Sequence, residues 1–342
     1  MKKAIITAQR QGGVIDAPNP IARENWPVIK IHAAPMCTEY KSFISGRPST
    51  SLGHEAAGEI VDVAQPGHVK VGDRVVVMPQ YPCGTCLLCV SGDYIHCQNA
   101  VDFAAFTDEG EGKATMAQLM LKPDWILPTI PDDISYDHAS MACCGIGPTF
   151  GALERMDVRP GETLLITGLG PVGLGGVVNG CDRNARVIAV DISEWRRKRA
   201  LALGATAVYA PDEALDAIME LTSGLGVDAA VDCSGAPAAH RLDIDAVRRR
   251  GRVAFVGECS DDTVIRISPD MIRKGITLHG SWHYNLSLFP RLMGVVRRNT
   301  EKLESLISHR FDIDNVQDAW ELQTTGECAK VILKPWGLDS VK

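Results

Sequence analysis

Four cysteines fall within fifteen residues of this 342-residue chain, at Cys83, Cys86, Cys89 and Cys97. Four thiolates at such spacing can surround one tetrahedral Zn²⁺ and fill every position, so a site of this kind is structural. The bacterial ferredoxin run is one competitor, but it has three residues before its last Cys and a Pro after it; here seven intervene and Gln98 follows. A zinc ribbon for nucleic acid is the other. The flanking Tyr81, Pro82, Leu87, Leu88, Asp93 and Tyr94 bring it no basic charge, whereas phosphate binding depends on Lys and Arg.

A second constellation is dispersed: Cys37, then Gly53-His54-Glu55, then Cys143-Cys144. Soft thiolate and imidazole ligands select Zn²⁺, and three protein ligands leave a fourth position open. Neighbouring residues point in different directions, so one of the two adjacent cysteines is expected to pack apolar surface instead.

A third signal is Gly168-Leu169-Gly170-Pro171-Val172-Gly173, with Asp191 eighteen residues beyond the last glycine. The glycines follow an apolar run and open a helical one. In that context they let backbone amides approach a pyrophosphate at a helix N-terminus, and the acid accepts hydrogen bonds from a ribose. A role as turn glycines alone is the alternative. Asp191 also repels a 2′-phosphate, which favours NAD over NADP, while Arg196 and Arg197 nearby act in the opposite sense.

Elements must hold these groups. Residues 1–147 read as short strands broken by turns, among them Val28 to His32, Ala57 to Val63 and Arg74 to Met78, and this part is expected to be all-β. From Gly161 strands and helices alternate. The strands are Leu164 to Thr167, Val187 to Val190, Ala207 to Ala210, Ala229 to Asp232 and Val253 to Val256. Helices Val172 to Asn179, Glu194 to Leu203, Leu215 to Thr222 and Ala236 to Arg249 separate them. Such spacing predicts a doubly wound parallel sheet with right-handed crossovers over 148–285. After a strand Ile276 to Ser281 comes a helical Leu286 to Thr300, and 286–342 is expected to return to the first domain.

Composition sets limits on function. Lys and Arg number 35 against 42 Asp and Glu, a net charge of −7, which argues against a basic nucleic-acid face. The longest uncharged stretch, Thr163 to Cys181, holds six glycines and a proline and fits strand, turn and helix better than a lipid span. The apolar run after Met1 is too short for a secretory signal, so a cytoplasmic location is expected. In that compartment eleven cysteines are thiols or metal ligands before they are disulfides.

Taken together, Gly53-His54-Glu55-x2-Gly58, Val71-Gly72-Asp73-Arg74-Val75, the four-Cys loop, the glycine turn with Asp191, and Asp232-x-Ser234-Gly235 followed by Gly251-Arg252-Val253 carry a resemblance. The chain resembles the medium-chain zinc-dependent alcohol and polyol dehydrogenases over essentially its whole length. The resemblance implies an α/β plus β chain: a GroES-like catalytic domain joined to a Rossmann NAD-binding domain, with the active site in the cleft between them. It implies Cys37, His54 and Cys144 as ligands of a catalytic zinc, and Glu55 as a carboxylate that coordinates zinc in some members. A homodimer or homotetramer acting on a small polar alcohol, with neither nucleic acid nor membrane as partner, is expected.

Departures from that family are specific. Two residues after the first zinc Cys the family usually has Ser or Thr, a hydroxyl that passes the proton outward; here Glu39 stands there, with Tyr40 next. Ser42 stands where many members have His. Glu39 is expected either to accept the substrate proton or to hold a second hydroxyl; otherwise it points to a solvated rim and Ser42 or water handles the proton. Pro148-Thr149 follows Cys144 where simple-alcohol enzymes carry a Thr near nicotinamide. Cys144 itself matches the alcohol branch, since polyol enzymes often have Glu there. Glu39 and Tyr40, with Trp282, His283 and Asn285, point to a polar pocket; a place for Trp282 and His283 at an interface is the alternative. The reaction expected is NAD-dependent oxidation of a secondary hydroxyl of a polyol, sugar, sugar acid or cyclitol. A simple alcohol or aldehyde dehydrogenase is the rival reading. A non-catalytic NAD-binding relative would have lost Cys37, His54 and Cys144.

Overall fold

β-Branched residues at alternate positions build the first unit. In the computed structural model, which describes residues 1–108 and 110–338, Ile29, Ile31, Ile60, Val75 and Val77 point into one core with Phe43 and Trp320, whose rings lie 5.3 Å apart. The chain divides into two compact units. One comprises Met1–Cys144, Asn285–Thr300 and the residues from Ile307 onward; the other comprises Gly145–Tyr284 and Glu301–Leu306.

The main sheet of the first unit runs Ile307–Asp312, Lys330–Lys334, Val28–Pro35, Ala56–Asp62, Arg74–Val77, with Leu119–Leu121 also on Val28–Pro35. The first two strands pair in parallel, the rest antiparallel. Lys330–Lys334, made late in the chain, therefore lies directly beside the strand that leads to Cys37.

The second unit is a six-stranded parallel sheet in the order Thr277–Gly280, Val247–Phe255, Val227–Asp232, Thr163–Thr167, Arg186–Val190, Ala207–Tyr209. Its first strand in sequence is central, and later strands are added outward on either side. That reversal marks the switch point at which such sheets bind ligands. The uncharged run Thr163 to Cys181 divides, as expected, into strand, glycine turn and the helix Pro171–Asp182. No helix among the described residues is long and apolar enough to cross a membrane.

Three expectations are corrected. The first part is not all-β: short helices interrupt it, including Glu39–Ser45, which carries Glu39. The helix expected to reach Arg249 is Pro237–Ala246 and stops there, because Val247 pairs with Val227 in the sheet and the Arg248 guanidinium meets Asp228 at 2.6 Å. The helical run to Thr300 breaks at Asn299, giving Phe289–Arg298 and then Thr300–Leu306. By contrast Glu194–Leu203 runs as expected, because Ser193 caps its start and Gly204, in the left-handed region, ends it.

Candidate functional site

Cys37 follows the strand Val28–Pro35, His54 and Glu55 precede the strand Ala56–Asp62, and Cys144 follows the turns after the helix Tyr136–Ser140. These separate segments converge. One ligand atom from each of Cys37, His54, Glu55 and Cys144 lies within 4.8 Å of all the others. Gly53 makes the approach possible: its φ is +87°, and a Cβ there would fall 2.2 Å from Thr115 Oγ1. Of the adjacent cysteines, Cys144 Sγ lies 3.4 Å from His54 Nε2, whereas Cys143 Sγ turns away to the Val77 carbonyl.

Glu39 does not point to a solvated rim: its side chain is 9% exposed. Its Oε1 lies 3.0 Å from His54 Nδ1, and its Oε2 accepts the Cys37 N–H at 2.8 Å. Its two oxygens thus meet an imidazole and a backbone N–H of this cluster; behind a metal-bound imidazole such a carboxylate would fix tautomer and ring orientation. Ser42 lies on the same helix, half-buried, and among the described residues its hydroxyl makes no hydrogen bond to this cluster. Thr38, exposed between Cys37 and Glu39, leaves its hydroxyl out of any capping bond.

Behind Glu55 stands Lys330. Its Nζ lies 2.5 Å from Glu55 Oε1, and Glu55 Oε2 accepts the Cys144 N–H at 3.1 Å. Burial pushes the Glu55 carboxyl up to about 7, with the Lys330 charge opposing the rise. Burial works against the Lys330 cation too, but the charges of Glu55, Cys37 and Cys144 outweigh it and raise its pKa. Around Cys37, the hydrogen bond from Cys144 holds the thiol well below its ordinary value; burial opposes, and His54 and Lys330 assist. Lys330 was not singled out from sequence. Its signal was a Lys opening the otherwise apolar run Lys330-Val331-Ile332-Leu333, where a buried charge requires an acid partner.

The four-Cys loop gathers as its spacing predicts. All four sulfurs lie within 4.8 Å of one another, the pair Cys86–Cys89 at 3.4 Å and Cys83–Cys97 at 3.6 Å. Backbone N–H groups of Thr85 and Cys86 point at Cys83 Sγ and hold that thiol down at about 6. Asn285 belongs to this lobe and not to a pocket: its amide donates to the Ser91 carbonyl and to Asp93 Oδ1 at 2.9 Å. His283 is buried and stacks on Tyr284, while Trp282 is 46% exposed. Thr149 is buried too, with its hydroxyl between the Ile146 carbonyl and the Asn179 amide.

Both donor sets suit zinc. Four sulfurs close one site, and two sulfurs with an imidazole and a neighbouring carboxylate form the other. The glycine turn suits a dinucleotide. A Cβ at Gly173 would fall 1.8 Å from the Gly168 carbonyl oxygen, so only Gly allows the helix to start so close to the strand. At Gly170 a Cβ would meet nothing within 4 Å, which leaves the helix N-terminus open. Asp191, 6% exposed, accepts the N–H groups of Leu169 at 2.6 Å and Ser193 at 2.7 Å. The Arg197 guanidinium donates to the carbonyls of Asp191 and Ile192, and Arg196 Nη1 lies 3.8 Å from Asp191 Oδ2.

Two family models match the chain: the alcohol dehydrogenase GroES-like domain over residues 23–132, and the zinc-binding dehydrogenase over 171–298. A sorbitol dehydrogenase of Bacillus subtilis is 31% identical, covering 98% of this chain and 97% of its own length. An L-threonine 3-dehydrogenase of Pyrococcus horikoshii is 30% identical, covering 93% of each. Among solved structures, an alcohol dehydrogenase from Thermus sp. ATN1 superposes with a TM-score of 0.88 at 22% identity, over 98% of this chain and 99% of that one.

Proposed function

The chain belongs to the medium-chain zinc-dependent alcohol and polyol dehydrogenases, and from that premise we propose that it oxidises a secondary hydroxyl of a polyol, sugar, sugar acid or cyclitol to a ketone with NAD. The observation that carries the reaction is the convergence of Cys37, His54 and Cys144 beside Glu55. The polar-substrate class is supported by the sorbitol dehydrogenase, whose length this chain matches almost throughout.

In this reading Cys37, His54 and Cys144 would hold the catalytic zinc, and Cys83, Cys86, Cys89 and Cys97 the structural one. When bound, zinc supplies a Lewis acid that favours loss of an alcohol proton, and NAD supplies the hydride acceptor. The chain's own groups do the rest. Glu39 orients His54, and the Lys330 cation balances Glu55 behind the ligands. Gly168, Gly170, Pro171, Val172 and Gly173 would cradle the pyrophosphate, and Asp191 would receive the ribose, with Arg196 beside it. With Glu39 held against His54 and the Cys37 N–H, the Thr38 hydroxyl or water is proposed to take the substrate proton. The enzyme is placed in the cytoplasm as a homodimer or homotetramer.

Initial rates with NAD on a panel of polyols, sugar acids, cyclitols and primary alcohols test the reading. A kcat/KM for the best polyol at least about tenfold above that for ethanol or butanol is expected, since a site built to hydrogen-bond a hydroxyl strongly rejects analogues lacking it. Preference for apolar primary alcohols would favour the rival reading, and no oxidation of any of them would count against both.

A further inference from the structure

A hydrogen-bonded line in the second unit is used by neither metal site. Asp232, wholly buried, ends the strand Val227–Asp232. Its Oδ1 accepts the Ser234 N–H at 3.0 Å and the Ser234 hydroxyl at 2.6 Å, and its Oδ2 accepts the Gly235 N–H at 3.0 Å. The same Oδ2 lies 3.2 Å from His240 Nε2, and His240 Nδ1 lies 2.6 Å from Thr263 Oγ1. A carboxylate only accepts, so Nε2 carries a hydrogen, and the Thr263 hydroxyl bonds the other ring nitrogen. The Asp232 carbonyl also receives the N–H groups of Val256 at 2.9 Å and Gly257 at 3.1 Å.

Thr263 is the far tether of a loop. Residues 258–265 follow the strand Val247–Phe255. Among the described residues, the His240–Thr263 contact is the only hydrogen bond joining this segment to the rest of the chain. The location is informative. Parallel sheets bind ligands off the C-terminal ends of their strands, at the switch point. A dinucleotide with its pyrophosphate at the Gly168 turn and its adenosine ribose at Asp191 would direct its nicotinamide half the other way along the sheet, toward the strand ends at Asp232 and Phe255. The line is also packed against the phosphate turn: a Cβ at Gly168 would fall 2.7 Å from the Ser234 nitrogen.

We propose that Asp232, His240 and Thr263 are positioning residues that hold the segment 256–263 where the nicotinamide half of NAD docks. The proposal rests on the dinucleotide reading above and adds to it residues outside the glycine turn and Asp191.

The test titrates NADH into the zinc-loaded protein without alcohol, following nicotinamide fluorescence, and measures amide exchange of 256–265 in the cofactor-free protein. Thr263→Val should raise the Kd about fivefold, the size expected for one lost hydrogen bond, with KM for NAD rising in step and exchange in the loop accelerated. Thr263→Ser, which keeps the hydroxyl, should restore both, and His240→Gln should behave like Thr263→Val. Faster exchange with an unchanged Kd would reduce the line to a loop anchor and overturn the proposal, as would unchanged exchange. An unmodified protein that binds no NADH would overturn the dinucleotide reading itself.

Discussion

Lys330 Nζ and Glu55 Oε1 lie 2.5 Å apart, and neither side chain is exposed. A buried pair of this kind adds little when complete but is costly to break, because the surviving charge loses its counter-ion with no water to replace it. Lys330→Met should therefore destabilise the protein by about 3–5 kcal/mol, read from urea unfolding. Adding Glu55→Gln should recover part of that loss; strict additivity would show that the two side chains do not act as a pair.

Glu39→Gln should act on the metal. A hydrogen-bonded carboxylate behind a ligand imidazole is typically worth about 10- to 100-fold in metal affinity, so the variant should lose zinc from the open site at lower chelator concentration. A variant with full zinc retention and a 10²-fold lower kcat would instead assign Glu39 to proton transfer.

The purified enzyme should hold two zinc ions per chain of unlike character. Chelation should remove the open-site ion and activity first. The four-Cys ion should leave later, together with stability, because its site is closed and its sulfurs receive backbone N–H groups. One zinc or none in fully active protein would contradict this.

Cofactor choice should follow Asp191. Arg197 is committed to backbone carbonyls, which leaves Arg196 as the basic group facing the carboxylate. NAD should be used with higher kcat/KM than NADP, and Asp191→Ala should narrow the gap mainly through the cofactor KM. Equal use of both cofactors by the unmodified enzyme would give Arg196 the deciding role.

His32 makes the fold acid-sensitive. It is 3% exposed, stacks on Tyr136 at 4.4 Å, and among the described residues neither ring nitrogen is hydrogen-bonded, with Glu59 Oε2 3.7 Å from Nε2. Burial, with Lys30 assisting, pushes its pKa from 6.5 down to about 4. The unfolded chain thus binds the proton more readily than the folded one, and the His32 contribution, complete above 6.5, is lost as pH falls towards 4. Urea midpoints should fall less steeply over that window in His32→Leu than in the parent; identical slopes would exclude His32.

Much of the site was legible because its chemistry is local in sequence. The four cysteines, the glycine turn with Asp191, and the ligand types at Cys37, His54 and Cys144 each carry their own spacing. The contacts of Glu39 were not legible. Its position two residues after Cys37 fitted a proton acceptor, and only the helix Glu39–Ser45 turns both its oxygens to Cys37 and His54. Lys330 was hidden for another reason: its partner lies 275 residues away. Strand positions were read well where β-branched residues filled them, and boundaries slipped where a charged run, such as Arg248-Arg249-Arg250, enters a strand.

That separation also has a consequence for synthesis. Glu55 leaves the ribosome long before Lys330 exists, and the strand that carries Lys330 must slide in beside Val28–Pro35 after the whole parallel-sheet unit has been made. Until then the Glu55 carboxyl lacks its Lys330 partner, and the nascent first unit cannot close around it at full strength. Completion of the metal pocket is thus timed to the end of translation, so chains released before residue 330 should emerge without a competent zinc centre, however well their second unit has folded.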